Sequence, residues 1–134
     1  MRILSFNQRS PKLQQDEFST FRFKRRDIDW AVGEVVQIVF KPWGKEREIL
    51  GIAEIVGKEA RRIFPTRKLC HIPLLTEREA IRDGFIGWGD FALWLVKAYG
   101  HKRVWEEPMN KLLLRWIKPE PIFAPGSFFL IQCY

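Results

Sequence analysis

The chain has 134 residues, of which 46% are hydrophobic and 29% are charged, and its formal net charge is +7. This length fits one domain with a buried core, and the composition excludes a largely disordered chain. No run approaches the ~18 consecutive apolar residues of a membrane span, and the N-terminus is too polar for a signal peptide. We therefore expect a soluble, cytoplasmic protein with no membrane partner. The sequence does not determine the oligomeric state, for which we favour a monomer.

The first half of the chain is predicted to supply most of the β-strands. Ranges 2–6, 20–24, 34–41 and 48–59 are rich in Ile, Val and Phe, and turn residues such as Gly33 and Gly44 separate them. Pro11 suits the first turn of a short helix within 11–18.

The centre changes to helical spacing. Thr76 and Glu79 fit a capping box, which predicts a helix that runs to about Asp83 and stops at Gly84. A second helix is predicted to begin near Asp90, to stop at Gly100 and to place one apolar stripe in the core: Phe91, Trp94, Leu95 and Ala98.

Strands are predicted again at 111–118 and 127–132, on either side of a proline-containing connector. The order of strands, two helices and strands indicates one α+β domain over 1–134, with a mainly antiparallel, barrel-like sheet flanked by short helices.

The histidines and cysteines do not predict a cofactor or metal site. Cys70 and Cys133 are far apart and lack C-x-x-C spacing, and Cys70-His71 has no second pair of ligands in view. Nucleotide-binding glycine loops and the common hydrolase motifs are absent. No cofactor is therefore expected.

The basic excess lies in the first half, where residues 1–70 hold 15 basic and 9 acidic side chains, against 8 and 7 in residues 71–134. Within it, 19–26 is predicted as a strand whose Phe21 and Phe23 face the core. Thr20, Arg22, Lys24 and Arg26 then line the opposite face, where guanidinium groups could bind phosphate. A solvated strand face is the alternative.

Aromatic residues are interleaved with these cations. Trp43 lies in a predicted turn between Lys41 and Lys45, and Trp30 follows the basic run. Exposed rings beside cations would stack on unpaired bases, whereas buried rings would serve packing alone.

Four elements in sequence order resemble the ASCH (activating signal cointegrator homology) family of the PUA-like superfamily. They are T-x-R at 20–22, V-G-E at 32–34, L-T-x-x-E-A-x-x-D-G-F at 75–85 and Y-G at 99–100. The resemblance implies a small β-barrel with a cleft beside the T-x-R strand. It also implies RNA binding, or hydrolysis in members that are amidohydrolases acting on N-acetylated cytidine or ribonucleases.

Residue by residue, the family signature G-x-K-x-x-T-x-R puts its Thr on Thr20 and its Arg on Arg22. Its Gly and Lys fall on Gln15 and Glu17, and its catalytic carboxylate falls on Asp83. Because deacetylating members use that Lys to activate the Thr, Glu17 argues against catalysis by Thr20 and Asp83.

The sequence thus favours a domain that binds RNA or a nucleotide-containing ligand in a cationic cleft. The residues predicted to bind are Thr20, Arg22, Lys24, Arg26 and Trp43. A small amidohydrolase or ribonuclease with Thr20 and Asp83 as catalytic residues is the alternative, and an interaction module for an acidic protein partner is the third.

Overall fold

The structure is a computed structural model, described here for residues 1–6 and 11–117. The strands in this part of the chain are β1 (Arg2–Phe6), β2 (Glu17–Phe23), β3 (Val35–Phe40), β4 (Glu48–Arg61) and β5 (Met109–Trp116). The helices are α1 (Glu77–Arg82), α2 (Trp88–Tyr99) and α3 (His101–Glu106), together with 3₁₀ turns at Pro11–Gln14 and Arg67–Leu69. No helix among these residues is long and apolar enough to cross a membrane.

The five strands form one sheet in the order β1-β3-β4-β5-β2. β1 pairs parallel with β3, with Leu4 opposite Ile38, whereas β3 pairs antiparallel with β4. The register of the second pair shifts between Ile38 and Val39, opposite Gly51, whose φ is +151°. A mixed sheet with a few short helices confirms the α+β class and is compatible with a barrel-like fold, although the edge pair is parallel.

The chain divides into two compact units. Among the described residues, unit 1 comprises 1–6, 11–18, 31–56 and 113–117, and unit 2 comprises 19–30 and 57–112. The expectation that 1–134 forms a single domain stays a prediction.

The buried residues of unit 1 come mainly from its strands. Leu4, Val36, Ile38, Val39 and Leu50 are each at most 1% exposed. The run Val35-Val36-Gln37-Ile38-Val39-Phe40 explains this burial, because β-branched and aromatic side chains suit a strand. Trp116 adds a hydrogen bond within unit 1, since its indole N–H donates to the Leu13 carbonyl oxygen at 3.0 Å.

The core of unit 2 forms around α2. Phe91 and Leu95 are each 1% exposed, and Phe21 meets Phe91 edge-to-face with ring centroids 5.5 Å apart. The cluster also contains Phe23, Ile63, Leu75, Ala80, Ala92, Val104 and Met109. Of the predicted α2 stripe, Phe91 and Leu95 are therefore core residues, whereas Trp94 is 45% exposed and Ala98 is exposed.

The predicted helix boundaries are largely confirmed. The Thr76 hydroxyl accepts from the Glu79 N–H and the Glu79 carboxylate accepts from the Thr76 N–H, which completes the capping box. α1 ends before Gly84, whose φ of +102° suits a residue without a Cβ. Gly100 ends α2, but the chain continues at once as α3, which the sequence pattern did not predict.

Several strand and helix limits differ from the prediction. β2 begins at Glu17 and ends at Phe23, so the predicted helix over 11–18 shrinks to one 3₁₀ turn. β5 begins two residues earlier than predicted. Cys133, the connector and the predicted strand 127–132 lie outside the described residues.

Candidate functional site

Strand β2 holds the two residues of the T-x-R element. Thr20 is 3% exposed and Arg22 is partly buried, while Phe21 and Phe23 lie in the core of unit 2. Since Thr20 and Phe21 are consecutive and both buried, this strand is covered on both faces here. Thr20 therefore does not lie on a solvated strand face, which was the alternative interpretation of this segment, and its role in ligand binding stays a prediction.

Arg22 is the charged group beside Thr20. Its Nε donates to the Thr20 hydroxyl oxygen at 3.3 Å. Burial lowers the pKa of Arg22 from its ordinary value, and the electrostatic influence of Tyr99 and then Asp83 opposes this fall. Arginine stays protonated under such shifts, so Arg22 presents a partly desolvated cation.

Asp83 lies at the end of α1. Its N–H donates to the Glu79 carbonyl oxygen at 3.1 Å, and its charge acts on Arg22. The structure therefore brings three predicted site residues, Thr20, Arg22 and Asp83, into one neighbourhood of unit 2.

Glu79 holds α1 in position. Its carboxylate lies 2.7 Å from Lys111 Nζ and 3.1 Å from Arg61 Nε, and it accepts from the Thr76 N–H at 3.0 Å. Burial raises the pKa of Glu79, but the bonds from Lys111, Thr76 and Arg61 outweigh it and lower the pKa to about 2. This ionised carboxylate fixes the helix that carries Asp83.

The predicted placement of Lys24 and Arg26 on the strand is wrong, while their predicted role in binding stays a prediction. Both follow the end of β2, so the strand alternation that was to align them with Arg22 does not extend to them. They are exposed, whereas Arg25 between them packs over the Trp30 ring at 5.2 Å. Trp30 is 4% exposed, which leaves it a packing residue and not an open stacking surface.

Glu17 and Trp43 belong to unit 1. Glu17, the residue at the signature's lysine position, lies 3.4 Å from Arg115 Nη2. Trp43 lies in the turn between β3 and β4 and is 96% exposed. Its ring is open to solvent, as a base-stacking residue requires.

The sequence pattern did not indicate that Tyr99 and Arg103 are site residues. Arg103 lies over the Phe23 ring at 4.4 Å and the Tyr99 ring at 5.5 Å, and Tyr99 packs edge-to-face on Phe23, the residue that follows Arg22 on β2. The Y-G element marked Tyr99, but no local pattern links it to Arg22, 77 positions away in the chain.

The net charge is concentrated in unit 2. Its residues include 15 Lys and Arg against 9 Asp and Glu, which gives +6, whereas the rest of the chain has 8 against 7. Eight exposed cations of this unit form no ion pair within the described ranges: Lys24, Arg26, Arg67, Lys68, Arg78, Arg82, Lys97 and Lys102. The unit that carries Arg22 is thus a source of positive potential.

Residues 1–6 and 11–117 contain no group of three or more His, Cys, Asp or Glu side chains able to hold a metal ion.

Comparison with family models, curated proteins and solved structures finds no match to this chain.

Proposed function

We propose that the protein binds RNA, or a nucleotide-containing ligand, through the cations of unit 2, with Arg22 as a phosphate anchor. The observation that carries the proposal is the charge distribution, because +6 of the net +7 charge belongs to the unit that contains Thr20 and Arg22. A PUA-like barrel, ASCH membership and a cytoplasmic location are parts of the same proposal.

The partial desolvation of the Arg22 guanidinium supports its proposed role as a phosphate anchor. A guanidinium that has already lost part of its hydration binds an anion at a lower desolvation cost than a fully hydrated one. The Thr20 hydroxyl limits the orientations of this side chain through the bond to Nε. The planar guanidinium suits bidentate bonding to two phosphate oxygens.

The hydrolase alternative has a weaker basis in the geometry. Within the described part of the chain, the side chain that hydrogen-bonds the Thr20 hydroxyl is Arg22, a cation that cannot accept the hydroxyl proton. Glu17, which replaces the family lysine, pairs with Arg115 in unit 1. Asp83 beside Arg22 is the observation in favour of hydrolysis, and free N-acetylcytidine tests it. We expect little or no hydrolysis of N-acetylcytidine by the wild type. Robust hydrolysis that Thr20→Ala abolishes would favour the hydrolase alternative.

The binding proposal is tested by titrating single-stranded octauridylate into the protein between 50 and 300 mM salt. We expect the affinity to fall steeply with salt, because cationic contacts release counterions from the strand. Arg22→Ala should weaken binding by about 1–3 kcal/mol, the range for charge-assisted hydrogen bonds. Arg22→Lys should recover only part of this loss, since Lys lacks the bidentate geometry.

Arg115→Ala is the matched control, because it removes an exposed cation from unit 1. It should leave octauridylate affinity within about twofold. Equal losses for Arg22→Ala and Arg115→Ala would contradict the assigned anchor. Absence of octauridylate binding at 50 mM salt, with tight binding of an acidic polypeptide such as polyglutamate, would replace RNA by an acidic protein partner.

A further inference from the structure

Two partly exposed aromatic rings lie in the second half of α2. Trp94 is 45% exposed and Tyr99 is 38% exposed, and their ring centroids are 6.3 Å apart with an interplanar angle of 73°. Large aromatic side chains that are left half in solvent beside each other offer ring faces to a ligand.

Buried rings support both residues from inside unit 2. Trp94 contacts Phe85 at 5.7 Å, and Phe85 stacks on Phe91 with centroids 4.4 Å apart and planes within 2°. Tyr99 packs edge-to-face on Phe23 at 4.9 Å. Because Phe91 and Phe23 belong to the core, the exposed rings are held in place before any ligand arrives.

Cations flank the same rings. Arg103 lies 5.5 Å from the Tyr99 ring centre, and Arg22 directly precedes Phe23, the β2 residue on which Tyr99 packs. Lys97 follows Trp94 by three positions on α2, a spacing that puts both on one side of the helix, and it is exposed. Ring faces and cations therefore alternate over this surface.

We propose that Trp94 and Tyr99 form a stacking platform for unpaired bases of single-stranded RNA, whose phosphates contact Arg22 and Arg103. The inference rests on the proposed RNA-binding function and adds the ligand class, a strand with unpaired bases. Bases stack on aromatic faces while guanidinium groups bind the adjoining phosphates, which matches the alternation of rings and cations. An apolar peptide would engage the rings alone, whereas single-stranded RNA would engage both the rings and the cations.

The test compares two probes of equal length and charge, octauridylate and an abasic ribose-phosphate octamer, by fluorescence anisotropy with the full chain. Stacking of about 1–3 kcal/mol per base predicts that the protein prefers octauridylate by roughly 5- to 150-fold for one stacked base. Trp94→Leu and Tyr99→Leu should bring this preference close to one, while affinity for the abasic octamer stays within twofold. Trp94→Phe and Tyr99→Phe, which keep a ring, should retain most of the preference.

Leu93→Ala is the matched control, since Leu93 is a neighbouring exposed apolar residue of α2 without a ring, 55% exposed. It should leave the preference unchanged. Equal binding of both probes by the wild type, or a preference that survives both Leu substitutions, would overturn the platform and leave the cationic RNA-binding proposal intact. Failure to bind either probe would overturn both proposals.

Discussion

Substitution of Glu79 by Gln removes the charge at the junction of α1, β4 and β5 while preserving an oxygen for the Thr76 N–H. The Glu79 side chain is 9% exposed, and its pKa is about 2 against an ordinary value of 4.5. A difference of 2.5 pKa units corresponds to about 3 kcal/mol of stability at pH 7. We expect Glu79→Gln to lower the free energy of unfolding by about 2–3 kcal/mol at that pH.

The stabilising contribution of Glu79 should decrease as the pH falls. Because the folded-state pKa of Glu79 is lowered, its contribution is complete well above pH 4.5 and is lost as the pH falls toward 2. At pH 3 the contribution should be about 1.4 kcal/mol. Urea unfolding of wild type and Glu79→Gln at pH 7, 5, 4 and 3 should therefore give a difference that shrinks steadily with acid.

Glu106→Gln is the control, because Glu106 is an exposed carboxylate without an ion pair among the described residues. It should change stability by at most about 0.5 kcal/mol at any of these pH values. A Glu79→Gln difference that stays constant from pH 7 to pH 3, or that is below about 0.5 kcal/mol at pH 7, would refute the reasoning.

Two further predictions concern unit 2. Asp29 accepts hydrogen bonds from Lys58, Asn110 and the Trp30 N–H, and although burial raises its pKa, these bonds lower the pKa overall. Asp29→Asn should therefore lower the free energy of unfolding by about 1–2 kcal/mol at pH 7. Urea unfolding that shows no change would contradict this prediction. Gly84→Ala should lower the free energy of unfolding by about 1–2 kcal/mol, because Gly84 has a φ of +102°. Gly89→Ala in α2 is the control and should not lower stability, because the added Cβ meets open space. Equal effects of the two substitutions on the melting temperature would contradict the role of backbone strain.

The sequence predicted those features that depend on neighbouring residues. Thr76 and Glu79 are three positions apart, so the capping box and the start of α1 could be read directly. The apolar residues of Arg2–Phe6 predicted a strand, and the structure has a strand with the same limits. Gly84 and Gly100 marked helix ends through a backbone conformation that other residues rarely adopt.

Features that depend on distant residues could not be predicted in this way. The end of β2 at Phe23 was missed because period-two spacing continues through the exposed residue Lys24. Lys111 and Arg61 join Glu79 from 32 and 18 positions away, and no local motif encodes these ion pairs. Likewise, α3 has a charged sequence in which only Val104 is buried, so its apolar pattern was too sparse to be recognised.

The most direct measurement is a titration of the isotopically labelled chain with octauridylate, followed by backbone amide chemical shifts. The account predicts saturable shifts at residues of unit 2, strongest around Thr20, Arg22 and Tyr99, and their loss in Arg22→Ala, while residues of unit 1 change little. Shifts confined to unit 1, or the same shifts in Arg22→Ala, would contradict the claim that the cations of unit 2 bind the RNA.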